Sequence, residues 1–191
     1  MTKVDSKSKN AFQKMAMSAE KKMAGKLATK STVRSVALDD DTLLFIDELG
    51  EFMIAASGKE QASKVKKDLI KIVVKIGLLA KNEVLTKEDI DAIQQLRKKI
   101  ISIVNSMITF DETPFTFEAE FLQQHFRECQ KILVQVVSKH LTEKSVARAN
   151  NVFDYFSSPE PLTKLFCDKS FDEIRKNLIV SLKKITDKSI L

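Results

Sequence analysis

Apolar positions recur at helical spacing along almost the whole chain, most densely over residues 66–81, Lys-Lys-Asp-Leu-Ile-Lys-Ile-Val-Val-Lys-Ile-Gly-Leu-Leu-Ala-Lys. At 100° per residue Lys67, Lys71 and Lys75 fall on one line. Leu69, Ile70, Ile72, Val73, Val74, Ile76 and Leu79 cover most of the remaining circumference. A helix apolar over that much of its surface needs partners on several sides. Its lysines recur too often for a membrane span, which takes roughly 20 mostly apolar residues. The stretch therefore predicts the central helix of a bundle, running from about Lys59 to Lys81, with its lysine line turned to water.

The flanking pattern supplies the other elements. From Ala11 to about Lys30, Phe12, Met15, Ala16, Ala19, Met23 and Leu27 share one face, Lys14 and Lys21 lie opposite, and Lys22 and Lys26 flank the stripe. That is a basic amphipathic helix of the kind that lies on an anionic bilayer or docks in a groove. With Ala at two key positions it predicts weak membrane binding by itself. Residues 31–38 read as a hinge. Asp39-Asp40-Asp41-Thr42 is an acidic, cap-rich start for a helix whose apolar face runs from Leu43 to Ala56 and which Ser57-Gly58 ends.

Beyond the central helix, Thr86 and Asp89 form a capping-box variant ahead of Ile90, Ile93, Leu96, Ile100, Val104 and Met107. Asp111-Glu112-Thr113-Pro114 breaks the chain. Thr116 is placed to cap a long helix to about His140, with Phe121, Leu122, Phe126, Cys129, Leu133 and Val136 inward. Thr142 opens a shorter helix to Phe156, and Ser157-Ser158-Pro159-Glu160-Pro161 reads as a turn. A helical piece covers Leu162–Cys167, and Ser170-x-x-Glu173 caps a final helix. No strand-like alternation competes. The pattern predicts an all-α bundle of six to seven helices over residues 39–191, preceded by a basic arm over residues 1–38.

Composition sharpens this picture. Of 191 residues, 43% are hydrophobic and 30% charged, with only 4 Gly and 3 Pro, which favours helices over turn-rich β folds and over disorder. The net charge of +6 is concentrated: residues 1–34 hold nine Lys/Arg against Asp5 and Glu20, a net +7, so the other 157 residues balance to −1. An arm of that kind suits anionic lipid or nucleic acid. Nucleic acid is the weaker match, since the arm has only Phe12 for base stacking and its lysines follow an amphipathic pattern. No apolar signal-peptide region opens the sequence, which points to a cytoplasmic protein.

Chemistry is sparse. Cys129 and Cys167 sit at apolar helical positions, form no C-x-x-C pair and read as core residues in a reducing compartment. His125 and His140 share a helix but stand 15 residues apart, too far to ligate one metal there. His140 reads as a helix C-terminal histidine favoured by the dipole. There is no H-E-x-x-H, no phosphate-cradling glycine loop and no Gly-x-Ser-x-Gly elbow. The sequence predicts no enzyme, no catalytic residue, no metal and no cofactor.

Six segments in register resemble the tumour necrosis factor alpha-induced protein 8 family. They are Ala19-Glu20-Lys21-Lys22; residues 67–77, Lys-Asp-Leu-Ile-Lys-Ile-Val-Val-Lys-Ile-Gly; Phe115-Thr116-Phe117-Glu118-Ala119; Arg127-Glu128-Cys129; His140-Leu141-Thr142-Glu143-Lys144-Ser145; and Asn151-Val152-Phe153-Asp154-Tyr155-Phe156-Ser157. The resemblance implies an antiparallel bundle around a central hydrophobic cavity that takes phospholipid tails, with a basic entrance for phosphoinositide headgroups. It implies membrane or headgroup contacts at Lys21, Lys22 and Lys26 and entrance cations at Lys81 and Arg97. Cavity-wall positions would be Leu69, Ile72, Val73, Ile76, Ile100, Val104, Phe121, Leu133, Val136 and Phe153. It further implies peripheral association with the inner membrane leaflet, phosphoinositide transfer or presentation, and modulation of survival and immune signalling with partners such as small GTPases. Lys81 stands where the family pattern has arginine, which keeps the charge and loses the planar fork. Residues 36–40 depart from the pattern as well, as expected of a distant member. The competing reading from another class is a helical adaptor acting through protein contacts.

Overall fold

The computed structural model of the protein describes residues 40–190, and the basic amphipathic helix expected from Ala11 to Lys30 lies outside them. Seven α-helices follow in order: α1 (Asp40–Ser57), α2 (Lys59–Lys81), α3 (Lys87–Glu112), α4 (Ala119–His140), α5 (Glu143–Phe156), α6 (Pro159–Cys167) and α7 (Asp172–Ile190). Single-turn 3-10 segments at Pro114–Thr116 and Lys169–Phe171 precede α4 and α7. The all-α class and the helix count follow the apolar periodicity.

The boundaries have local causes. Gly58, at φ +82°, separates α1 from α2, a conformation that costs glycine little. Asn82 and Glu83, the latter at φ +53°, close α2. The box at the head of α3 is complete: Thr86 Oγ1 accepts from Asp89 N at 3.2 Å and Asp89 Oδ2 accepts from Thr86 N at 3.1 Å. Three boundaries differ from expectation. Thr116 does not cap α4, because its hydroxyl donates back to the Thr113 carbonyl at 2.7 Å within the 3-10 turn. Pro159 and Pro161 lie inside the first turn of α6, where a missing N–H removes no helical hydrogen bond. Asp168, not Ser170, organises the entry to α7 by accepting from Ser170 N at 2.9 Å.

The close helix contacts run around a ring rather than across it: α1 to α2, α2 to α5, α5 to α4, α4 to α3, α3 to α7, and α7 back to α1. Neighbours alternate in direction. Lys75 meets Ser145 and Asp68 meets Asn151 across the α2–α5 seam, so rising numbers on one helix face falling numbers on the other. Asp89 with Lys139 and Lys99 with Glu128 show the same register between α3 and α4. This is an antiparallel six-helix ring, and α6, touching α1, α4, α5 and α7, lies across one end.

That end, the foot, is filled. Phe166 of α6 stacks on Phe117 at 4.8 Å between centroids and meets Phe110 edge-on at 5.9 Å, while Phe52 and Phe171 pair at 6.2 Å. Edge-on and offset pairs of this kind add roughly 0.5–1.5 kcal/mol each to the burial of the rings. Met53 and Leu122 nearby are fully buried.

The opposite end, the head, is tied by a polar cluster. Asp89 is fully buried, and its carboxylate accepts from Lys139 Nζ at 2.9 Å, His140 Nε2 at 2.7 Å and Thr86 Oγ1 at 2.8 Å. Burial alone would raise its pKa, but the hydrogen bonds from Lys139, His140 and Thr86 outweigh it and hold the carboxyl well below the usual range. His140 thus locks α4 to α3 and does more than complement a helix end. Asp89→Ala should lower unfolding stability by about 2 kcal/mol in urea titrations, because it removes the charge-assisted hydrogen bonds from Lys139 and His140 and half of the capping box at the head of α3. The unfolded chain takes up this proton before the folded one does. The carboxylate's contribution should therefore be complete above about pH 5 and fall progressively below it, a loss absent from Asp89→Ala.

Candidate functional site

Val65, Ile72 and Leu79 stand at i, i+7 and i+14 on α2 and are buried, with Leu69 and Ile76 half-buried against the same core. On α3 the matching stripe is Leu96, Ile100, Ile103 and Met107, at i, i+4, i+7 and i+11. Leu96 and Ile103 are buried, yet Ile100 between them keeps 43% of its surface exposed. Other positions expected on a cavity wall distribute as follows. Leu133 belongs to the main core, Phe153 packs against it half-buried, Val136 is 1% exposed, and Val73 is half-buried. Val104 sits in a separate small cluster with Ile179 and Leu182 of α7.

Phe121 lies elsewhere. It is 38% exposed, with its ring 4.1 Å from that of His125, and it lines an outer groove of about 530 Å³ with Lys98, Ser102, Asn105 and Thr109 of α3. His125 Nδ1 donates to the Phe121 carbonyl at 2.8 Å.

Of the expected entrance cations, Lys81 is the exposed last residue of α2, half a turn away from the Ile72 line and so on the outer rim of the head. Arg97 is exposed on the stripe that carries Val104, toward α7. It lies ten residues into α3, about 15 Å from the start of that helix at 1.5 Å per residue. The two cations flank the head at different depths. Lys21, Lys22 and Lys26 lie outside the described residues.

The lysine line of α2 is not simply turned to water. Lys75 Nζ donates to the buried Ser145 Oγ at 2.7 Å, so the line runs along the α2–α5 seam. The sequence held a signal for this, since Lys144 and Arg148 repeat the i, i+4 spacing on α5. Cys167 departs from the expected core position and is exposed, while Cys129 is buried and its thiol is pushed up to about 11 by burial. Among the described residues, no group of three or more His, Cys, Asp or Glu is placed to hold a metal ion, and no helix is long and apolar enough to cross a membrane.

A family described as tumor necrosis factor alpha-induced protein 8-like matches residues 10–189, almost the whole chain. The chain belongs to the tumour necrosis factor alpha-induced protein 8 family. Among its relatives, tumor necrosis factor alpha-induced protein 8-like protein 2 of Salmo salar is 39% identical over 153 residues, covering 80% of this chain and 82% of the relative. Tumor necrosis factor alpha-induced protein 8 of Homo sapiens is 33% identical over 153 residues, covering 80% and 77%. Protein 8-like protein 3 of Xenopus laevis is 32% identical over 180 residues, covering 92% and 88%. The fold matches the C-terminal region of G-protein interacting protein 1 from Dictyostelium discoideum, with a TM-score of 0.68 at 15% identity, covering 83% of this chain and 98% of that one.

This family member should show two thiols of very different reactivity. A colorimetric thiol reagent at pH 8 is expected to modify Cys167 within minutes and Cys129 only after denaturant is added, with Cys167→Ser abolishing the fast phase.

Proposed function

We propose that the protein binds a phospholipid with its acyl chains inside the helix ring and an anionic, phosphoinositide-type headgroup at the head. The supporting observation is Ile100. It sits on the stripe of α3 whose other members are core residues, yet 43% of its surface stays accessible, as expected where the ring interior is lined but not filled by side chains. Geometry points the same way. Six helices spaced 8–10 Å apart in a regular ring leave a centre about one helix wide. At the foot, α6 and the phenylalanines take up that space; toward the head no described helix crosses it. An acyl chain there leaves water with about 0.8 kcal/mol per buried CH₂, so affinity needs no specific tail contact, and specificity falls to the cations Lys81 and Arg97. Lys21, Lys22 and Lys26 would draw the arm to the bilayer and lipid into the ring. In this reading the protein presents or transfers phosphoinositides at the cytoplasmic leaflet and acts on survival and immune signalling through partners such as small GTPases.

The adaptor reading draws on one observation, the outer groove beside the exposed Phe121, which offers a protein partner an aromatic anchor outside the ring.

Liposome co-sedimentation with and without phosphatidylinositol bisphosphate tests the proposal. Wild type should bind the phosphoinositide vesicles, and Lys81→Glu/Arg97→Glu should weaken that binding about tenfold, or about 1.4 kcal/mol. Lys21→Glu/Lys22→Glu should weaken binding to all anionic vesicles. Ile100→Trp should reduce the lipid that co-purifies, read by native mass spectrometry, while leaving vesicle attachment in place. Binding that ignores the headgroup, together with no co-purifying lipid, would sink the proposal in favour of the adaptor.

A further inference from the structure

The α2–α5 seam carries a concentration of positive charge that lipid capture does not use. Lys67, Lys71 and Lys75 rise along α2 while Lys144 and Arg148 descend along α5 beside them. The juxtaposition is fixed by contacts on both sides. Lys75 Nζ donates to Ser145 Oγ at 2.7 Å, Arg148 Nε lies 3.4 Å from Asp68 Oδ1, and Asn151 Nδ2 donates to Asp68 Oδ2 at 3.0 Å. Asp68, the carboxylate inside the seam, is therefore already engaged, with its side chain 15% exposed. Glu143 is exposed at the first turn of α5. Burial, then repulsion from Arg148 and Lys67, holds the Lys71 amine below the ordinary lysine value despite the opposing pull of Asp68. With Asp68 shared between Arg148 and Asn151, the described residues set Lys67, Lys71 and Lys144 together along the seam with more positive than negative charge around them.

Shape narrows the ligand. The row from Lys67 to Lys75 is about 12 Å long with a cation roughly every 6 Å, and it runs parallel to the ring axis on the outer wall. A membrane plane resting on the head would meet this row end-on, so a flat bilayer is a poor match. Nucleic acid is poorly matched too: none of these seam residues offers an aromatic face for a base, and residues 35–191 are slightly acidic overall. A short acidic segment fits, since carboxylates one helical turn apart, or on alternate residues of an extended strand, repeat at about 6–7 Å. We propose that the α2–α5 seam docks an acidic peptide segment of a partner protein, with Lys67, Lys71 and Lys144 making the accessible ion pairs. The seam faces away from the ring interior, so this inference does not depend on lipid binding.

The probe is a fluorescein-labelled decaglutamate peptide, titrated with the full chain by fluorescence polarisation at 50 and 300 mM salt. Wild type should bind at low salt and weaken steeply at high salt. Lys67→Glu/Lys71→Glu/Lys144→Glu should bind at least about tenfold more weakly, and the neutral Lys67→Gln/Lys71→Gln/Lys144→Gln should fall between, with thermal unfolding confirming that both fold. Lys21→Glu/Lys22→Glu should retain most of the binding, and the seam variants should bind phosphatidylinositol bisphosphate vesicles as wild type does. The inference is overturned by absent peptide binding in wild type, by undiminished binding in both seam variants, or by a loss confined to the arm variant. A seam variant that keeps the peptide and loses the vesicles would make the membrane the occupant and overturn it equally.

Discussion

The contact between α1 and α7, the first and last described helices, turns a row of amphipathic helices into a closed ring. Without it, α1 and α7 would each present an unburied apolar stripe at the edge of an open layer, and α2, α5, α4 and α3 would still have two neighbours each. Closing the ring buries both stripes at once. It also sets a geometric problem, because six helices in a ring surround a space that their own backbones cannot fill. Much of what distinguishes one end of this protein from the other is a response to that problem.

At the foot the response is bulk. Phe52, Phe110, Phe117, Phe166 and Phe171 converge there, and α6 lies across them. At the head it is polar fastening. Asp89, buried by its place at the third residue of α3, collects Lys139, His140 and Thr86 and so joins the start of one helix to the end of its neighbour. A buried carboxylate without those donors would be costly; with them it fixes register between α3 and α4. Between foot and head, Ile100 keeps access that its neighbours Leu96 and Ile103 have lost. The two ends are thus fastened by different chemistry, aromatic packing at the foot and a buried carboxylate with its donors at the head.

The outside of the ring is differentiated too. Lys66 pairs with Asp47 across α1 and α2, and Arg175 pairs with Asp111 across α3 and α7, so those seams bring opposite charges together. At the α2–α5 seam Asp68 stands among several cations. Surface ion pairs contribute little each to stability, so a departure from charge balance at one seam alters the protein's electrostatic field more than its fold.

Much of this was legible in the chain itself. Helical periodicity around residues 66–81, the Thr86–Asp89 box and the break at Gly58 are local signals, and backbone sterics and short-range hydrogen bonds decide them. Family-type motifs such as those at residues 67–77 and 151–157 were legible for the same reason, being contiguous. Partners were not. That His140 reaches Asp89, that Phe121 turns to an outer groove, that Cys167 is exposed and that the lysine line follows a seam all depend on which helices become neighbours. Ring order is set by the collective burial of stripes far apart in sequence, and a one-dimensional period gives a face its character without naming what lies against it. The sequence by itself determined the helices, their apolar faces and the family; only the tertiary structure decided the ring, its filled foot and which cations share a seam, because those follow from long-range packing.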